Sequence, residues 1–117
     1  MFWYTALIVL MEIIELTSEN IDTYIADCIL LQKQLLKPGE TPNESLFYAT
    51  ASHEQTYMLG LLENERIVGI GVLGKLIHPA HRTAHVDNIV VDDAYRGRGY
   101  FTVIMDALEA KAQEWGA

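Results

Sequence analysis

The chain is 117 residues long, one domain's length and enough for one core but not two. Apolar residues make up 50% of it, which excludes a disordered polymer. Sixteen acidic residues against eight basic ones leave a net charge of −8. That balance argues against a nucleic-acid partner, since phosphate contacts dominate such binding, and would attract a basic partner such as an amine.

The opening stretch from Met1 to Met11, MFWYTALIVLM, is apolar throughout. Eleven residues are too few to span a bilayer as a helix. The stretch lacks the positive n-region of a signal peptide, and no small-residue cleavage site precedes Glu12 and Glu15. Residues 1–10 read as an extra edge strand or as a leader upstream of a start at Met11, with the domain running over 11–117. No feature points to membrane or export, and the chain reads as cytoplasmic.

Ile13 to Leu16 predicts the first strand. Thr17 or Ser18 then caps a helix, with Glu19 placed to complement its dipole. Ile21, Tyr24, Ile25, Cys28, Leu31 and Leu35 form the apolar stripe of that helix, and Lys37-Pro38-Gly39 ends it. Cys28, the only cysteine, can form no internal disulfide and reads as a buried small hydrophobe. Thr41-Pro42-Asn43-Glu44 has the pattern of a capping box and predicts a second helix to about Ser52.

Tyr57 to Glu63 and Arg66 to Leu76 predict a hairpin turned at Asn64 and Glu65. Gly69 and Gly71 lie two apart on one face of its second strand, which points to close approach of a backbone, a helix or a ligand. His78-Pro79-Ala80-His81-Arg82 reads as a loop. His78, His81 and His85 have neither structural-zinc spacing nor a cysteine partner, so no metal is expected.

The most informative stretch runs from Ala84 to Ala110. Val86 to Val91 is an apolar strand with Asp87 and Asn88 set into it, where β-propensity disfavours them. Asp92, Asp93 and Ala94 break the run, and Arg96-Gly97-Arg98-Gly99 leads into a helical pattern. Phe101, Ile104, Met105, Leu108, Ala112 and Trp115 mark its apolar face. A glycine-rich turn opening a helix after a buried strand is an anion site, because its first N–H groups lack helical partners and glycine lets a ligand close. Two flanking arginines favour phosphate. The bland alternative is a surface turn with two solvated arginines.

This stretch resembles the GNAT superfamily of N-acetyltransferases, whose pyrophosphate motif R/Q-x-x-G-x-G/A is entered from a strand of the type D-x-x-V. Arg96, Gly97, Arg98, Gly99 and Tyr100 fit it, and Phe101 departs from it, because the family usually has glycine or alanine there. The resemblance implies an α/β chain (α+β, mixed sheet) of GNAT-like acyl-CoA N-acyltransferase fold in the order β-α-α-β-β-β-α. It covers Met11 to Ala117 and matches the first half to two-thirds of such a domain. The family continues with a fifth strand parallel to the fourth, a fourth helix that often carries a general-acid tyrosine, and a final hairpin.

Acetyl transfer from acetyl-CoA to a primary amine is the activity the resemblance implies, with acetyl-CoA as co-substrate and no metal. The N–H groups near Ile89, Val90 and Val91 would bind the pantetheine arm. Those of Gly97, Arg98, Gly99, Tyr100, Phe101 and Thr102, with Arg96, would hold the pyrophosphate. Asp87, an ionisable group in a strand expected to be central and buried, is the first choice of base, and His85, two residues earlier on the same face, is the second. Ordinary hydrogen bonding at a β-bulge is the competing account of both. The helical region would form the acceptor pocket, giving Phe47, Tyr48 and His53 a role, although Phe47 also fits core packing. Phe101, on the apolar stripe, is expected to pack against the sheet.

Two other readings stand beside the enzyme. One is an acyl-CoA-binding module without turnover, or a domain fragment needing a second half. The other is an interaction protein that self-associates through an exposed sheet edge. Small amines, amino sugars, antibiotics and peptide N-termini all fit as acceptors.

Overall fold

Residues 11–117 are described by the structure, a computed structural model, and the stretch 1–10 lies outside them. Among the described residues the order is β1 (Met11–Leu16), α1 (Ile21–Lys33), α2 (Glu44–Ser52), β2 (Thr56–Glu63), β3 (Arg66–Ile77), β4 (Arg82–Val91) and α3 (Tyr100–Trp115), with one 3-10 turn at Asp93–Tyr95. This is the expected β-α-α-β-β-β-α sequence in a GNAT-like α+β fold. The four strands lie in the order β1-β2-β3-β4, each antiparallel to its neighbour. The mixed sheet expected from the resemblance therefore does not appear among the described residues, because no fifth strand lies beside β4.

Alternation along the strands gives each face its own core. Leu16, Met58, Leu62, Ile67, Ile70 and Val90 meet Ile21, Cys28 and Leu31 of α1 and Phe47 of α2 on one face. Leu59, Leu61, Val68, Leu73 and Val91 meet Ile104 and Leu108 of α3 on the other. Gly69 and Gly71 belong to this second face. An ideal Cβ on either would stand 2.7 Å from an Ile104 methyl, so the glycines make room for α3 rather than for a ligand.

Local chemistry explains the boundaries. Asn64 and Glu65 both have positive φ, at 49° and 68°, which is the two-residue turn whose twist suits a hairpin. The N-cap of α2 is Asn43, whose Oδ1 accepts from the Leu46 N–H at 3.3 Å, so the expected capping box at Thr41 is displaced by two residues. At α1 the expected cap at Thr17 or Ser18 gives way to Asn20. The Asn20 carboxamide accepts from the Thr17 N–H and donates to the Glu15 carbonyl, closing a turn before the helix starts. The helix stops at Lys33, well before Lys37, and Leu35 leaves its stripe to stand 51% exposed.

Cys28 is fully buried, and burial, with the Asp27 charge beside it, pushes its thiol up to about 12. The Asp27 carboxylate accepts from the Ile67 N–H at 3.0 Å, which ties α1 to β3. None of the described helices is long and apolar enough to cross a membrane.

Candidate functional site

Near its C-terminal end β4 breaks register. Ile70 pairs with Val90 and Val72 with Asp87, so Gly71 faces two residues, Asn88 and Ile89. This β-bulge bends the strand and re-aims its side chains. Asn88 takes φ of +53°, a conformation asparagine adopts more readily than most residues, and its N–H donates to Asp87 Oδ1 at 2.8 Å. Among the described residues β4 is the last strand of the sheet, so its outer edge has no strand partner.

That placement corrects one expectation. Asp87 was expected in a central, buried strand, yet it and His85 are exposed on an edge strand. They stand opposite Val72 and Gly74, on the α1–α2 face, where no described segment covers them.

A braced turn follows the strand. The Asp92 N–H donates to the Val68 carbonyl at 2.8 Å, and Asp92 Oδ1 accepts from the Ala94 N–H to start the 3-10 turn. Arg96 holds this turn together, because its Nε donates to the Val91 carbonyl at 3.3 Å and its Nη1 lies 2.7 Å from Asp93 Oδ1. The Arg98 guanidinium sits 5.0 Å over the Tyr95 ring, which stacks on Tyr100. The Tyr100 hydroxyl donates to Oε2 of buried Glu63 at 2.8 Å, a bond that raises its pKa and pins the start of α3 to the end of β2. Glu63 went unremarked in the sequence; its one signal is an acid closing an otherwise apolar strand.

Gly97 and Gly99 both have φ of +79°, and a Cβ on either would meet nothing within 4 Å. The turn thus leaves open space in front of the first N–H groups of α3, which lack helical partners. A cleft of about 280 Å³ lies there. Ile89, Val90, Val91, Arg96, Gly97, Gly99, Tyr100 and Phe101 line it, joined by Tyr95 and by Leu35 from the far side. Arg98 and Thr102 stand outside the lining. Phe101 is 56% exposed, against the expectation that it packs on the sheet. Tyr100 before it and Val103 and Ile104 after it pack on the second core, while position 101 meets the cleft.

A second cleft of about 200 Å³ lies between α2, the end of α1 and the sheet. Leu35 and Val90 line both clefts, so the two adjoin at the bulge. Phe47 lines this cleft while packing in the core. Tyr48 does not line it, for its hydroxyl donates to Asp22 Oδ1 at 2.6 Å, and exposed His53 caps the end of α2. His78 and His81 stack at 4.6 Å, and no group of three or more potential metal ligands converges among the described residues.

The sequence profile of the acetyltransferase (GNAT) family matches residues 23–117. The chain belongs to that family. It is thus a GNAT-type N-acetyltransferase, a family of acetyl-CoA-dependent transferases.

Comparison with curated protein sequences gives no significant match. Solved structures give several. A ribosomal-protein-alanine N-acetyltransferase from Brucella melitensis is 25% identical with a TM-score of 0.74, over 90% of this chain and 73% of that one. An aminoglycoside acetyltransferase from an uncultured soil metagenomic sample, in complex with sisomicin, is 17% identical with a TM-score of 0.76, over 91% of this chain and 72% of that one. An acetyltransferase from Clostridium acetobutylicum with acetyl-CoA is 19% identical with a TM-score of 0.67, over 90% of this chain and 75% of that one.

In this GNAT chain five of the residues that sequence reasoning gathered in the turn, Arg96, Gly97, Gly99, Tyr100 and Phe101, share one cleft with the end of β4, and Arg98 and Thr102 do not. Asn88 was marked as out of place in the strand but not assigned to the site, and the lining contributed by Leu35, Leu46 and Thr50 was missed. Gln34 shows how Leu35 gets there, since its Oε1 accepts from the Asp93 N–H at 2.9 Å and holds the end of α1 against the turn.

Proposed function

We propose that this GNAT acetyltransferase moves an acetyl group from acetyl-CoA to a primary amine by direct attack. One observation carries the reading: a single cleft joins the open edge of β4 to a positive-φ glycine turn and a helix N-terminus. An extended pantetheine arm would pair with the free edge at Ile89 to Val91 as an added strand. Its pyrophosphate would be met by the N–H groups from Gly97 to Thr102, with the Arg98 guanidinium alongside. Arg96 would act mainly as the brace of that turn, given its bonds to Val91 and Asp93.

An alkylammonium with pKa about 10 is almost wholly protonated at neutral pH, so a base must take its proton before attack. Asp87 serves as that base, directly or through water, and His85 is the second choice. The neutral nitrogen then forms a bond to the thioester carbonyl carbon. The carbon–sulfur bond breaks, the amide nitrogen gives up its second proton, and CoA thiolate leaves and is protonated. A β4 N–H at the bulge would meet the developing oxyanion.

Binding without turnover is the second reading. What favours it is that the cleft has β4 on one side and no strand opposite among the described residues. Thiol release from acetyl-CoA, with and without a panel of primary amines, tests the choice. Amine-dependent release that falls at least about tenfold in Asp87→Asn supports transfer with Asp87 as base. Acetyl-CoA binding with no amine-dependent release would favour the second reading.

A further inference from the structure

We propose that the acceptor is a small monoamine with an apolar body, bound in the 200 Å³ cleft with its nitrogen at the bulge. This deepens the acetyl-transfer reading and rests on it. The floor is apolar and buried, made by Phe47, Met58, Ile70 and Val90, and Leu35 and Leu46 form the rim at 51% and 58% exposure.

Three polar side chains reach the lining: Gln32, Thr50 and Asn88. Two are engaged in part, through the Gln32 carbonyl oxygen and the Thr50 hydroxyl proton. Gln32 Oε1 accepts from the Asn43 N–H at 3.2 Å, and Thr50 Oγ1 donates to the Leu46 carbonyl at 2.7 Å. The Asn88 carboxamide makes no hydrogen bond within the described residues. It stands beside Asp87 and two residues from Val90, where the acceptor and donor clefts meet. A wholly unengaged carboxamide at the junction and a mainly apolar lining match a ligand with one polar end.

Size and charge narrow the class further. An apolar cavity of about 150 Å³ holds a benzene ring, so 200 Å³ takes a ring or a chain of similar bulk with its amino group. No carboxylate lines the cleft, so a second ammonium would lie against apolar surface with no charge partner. A peptide would need a row of backbone partners, and seven of the ten lining residues are apolar. A polycation and a peptide N-terminus both fit worse than a hydrophobic monoamine.

Hexylamine and 1,5-diaminopentane have the same number of non-hydrogen atoms and differ in one charge, so their kcat/KM ratio by thiol release reads the inference directly. Hexylamine is expected to lead by at least about tenfold. Leu46→Asp, on the exposed rim, should narrow the ratio several-fold with unchanged melting. Equal use of the two, or preference for the diamine, an aminoglycoside or an alanine-headed peptide, would overturn the acceptor class while leaving acetyl transfer standing. Calorimetry with acetyl-CoA separates the two claims, since failure there removes the transferase reading itself. Saturation-transfer NMR of both amines on the protein alone reads the cleft without turnover, and no preference for hexylamine would overturn the inference in that case too.

Discussion

Phe101 stands where its family usually has glycine or alanine, and its ring lines the cleft at 56% exposure. So exposed a side chain contributes little to folding. Phe101→Ala is therefore expected to leave the melting temperature within about a degree or two, well short of the roughly 3–5 kcal/mol of a buried aromatic, while changing acetyl-CoA affinity. A large loss of stability with unaltered affinity would return the residue to the core. Two other residues carry a pH signature. The Cys28 thiol is pushed up from 9.0 to about 12, first by burial and then by Asp27. The Tyr48 phenol rises from 10.0 to about 12, first through its bond to Asp22. Both hold their protons more tightly folded than unfolded, so their contribution is fully present below pH 9 and drains away as pH climbs toward 12. Melting temperatures from pH 8 to 11 should fall, and Cys28→Ala should flatten that fall. A curve unchanged by the substitution would show that Cys28 does not contribute.

The seating of α3 on the sheet depends on what β3 lacks. An ideal Cβ on Gly71 would come within 2.7 Å of Ile104 and 2.9 Å of Leu108, both on α3 and both fully buried. Gly71→Ala should push the helix off the sheet and cost about 1–3 kcal/mol by urea unfolding, as overpacking does. An unchanged midpoint would mean that α3 yields freely. The glycine pair was legible in the sequence as a place of close approach, but the approaching partner was not, because the register that sets Gly71 against Ile104 is a property of the whole sheet. The helix, strand and turn types were readable from periodicity, and the Asn64–Glu65 hairpin from its spacing. Cap positions were not, because each helix start offers several capping residues within a few positions, and Asn20 and Asn43 form the local side-chain bonds in place of Thr17 and Thr41. The glycine turn was legible because its geometry is local, resting on glycines with positive φ before a helix. The second cleft was not, because Leu35, Leu46 and Asn88 come from three separate segments of the chain and meet only in the fold.

At the scale of the molecule, two cores on opposite faces of one sheet leave two edge strands among the described residues, β1 and β4, and β4 is the edge beside the glycine turn. Val86 on that edge is 37% exposed, and an unpaired apolar strand is a template for another chain. Light scattering on the 117-residue chain is expected to give an apparent mass that rises with concentration and falls back when acetyl-CoA occupies the edge. A constant monomeric mass would show that the edge is protected. The same edge and the glycine turn together form the proposed acyl-donor site, on which the proposed chemistry depends. Titration of the labelled protein with acetyl-CoA, followed amide by amide in NMR, tests it most directly. The expected result is saturable shifts concentrated at Ile89 to Val91 and at Gly97 to Thr102, lost in Gly99→Val with helical content retained. Shifts centred elsewhere, or undiminished in Gly99→Val, would contradict it.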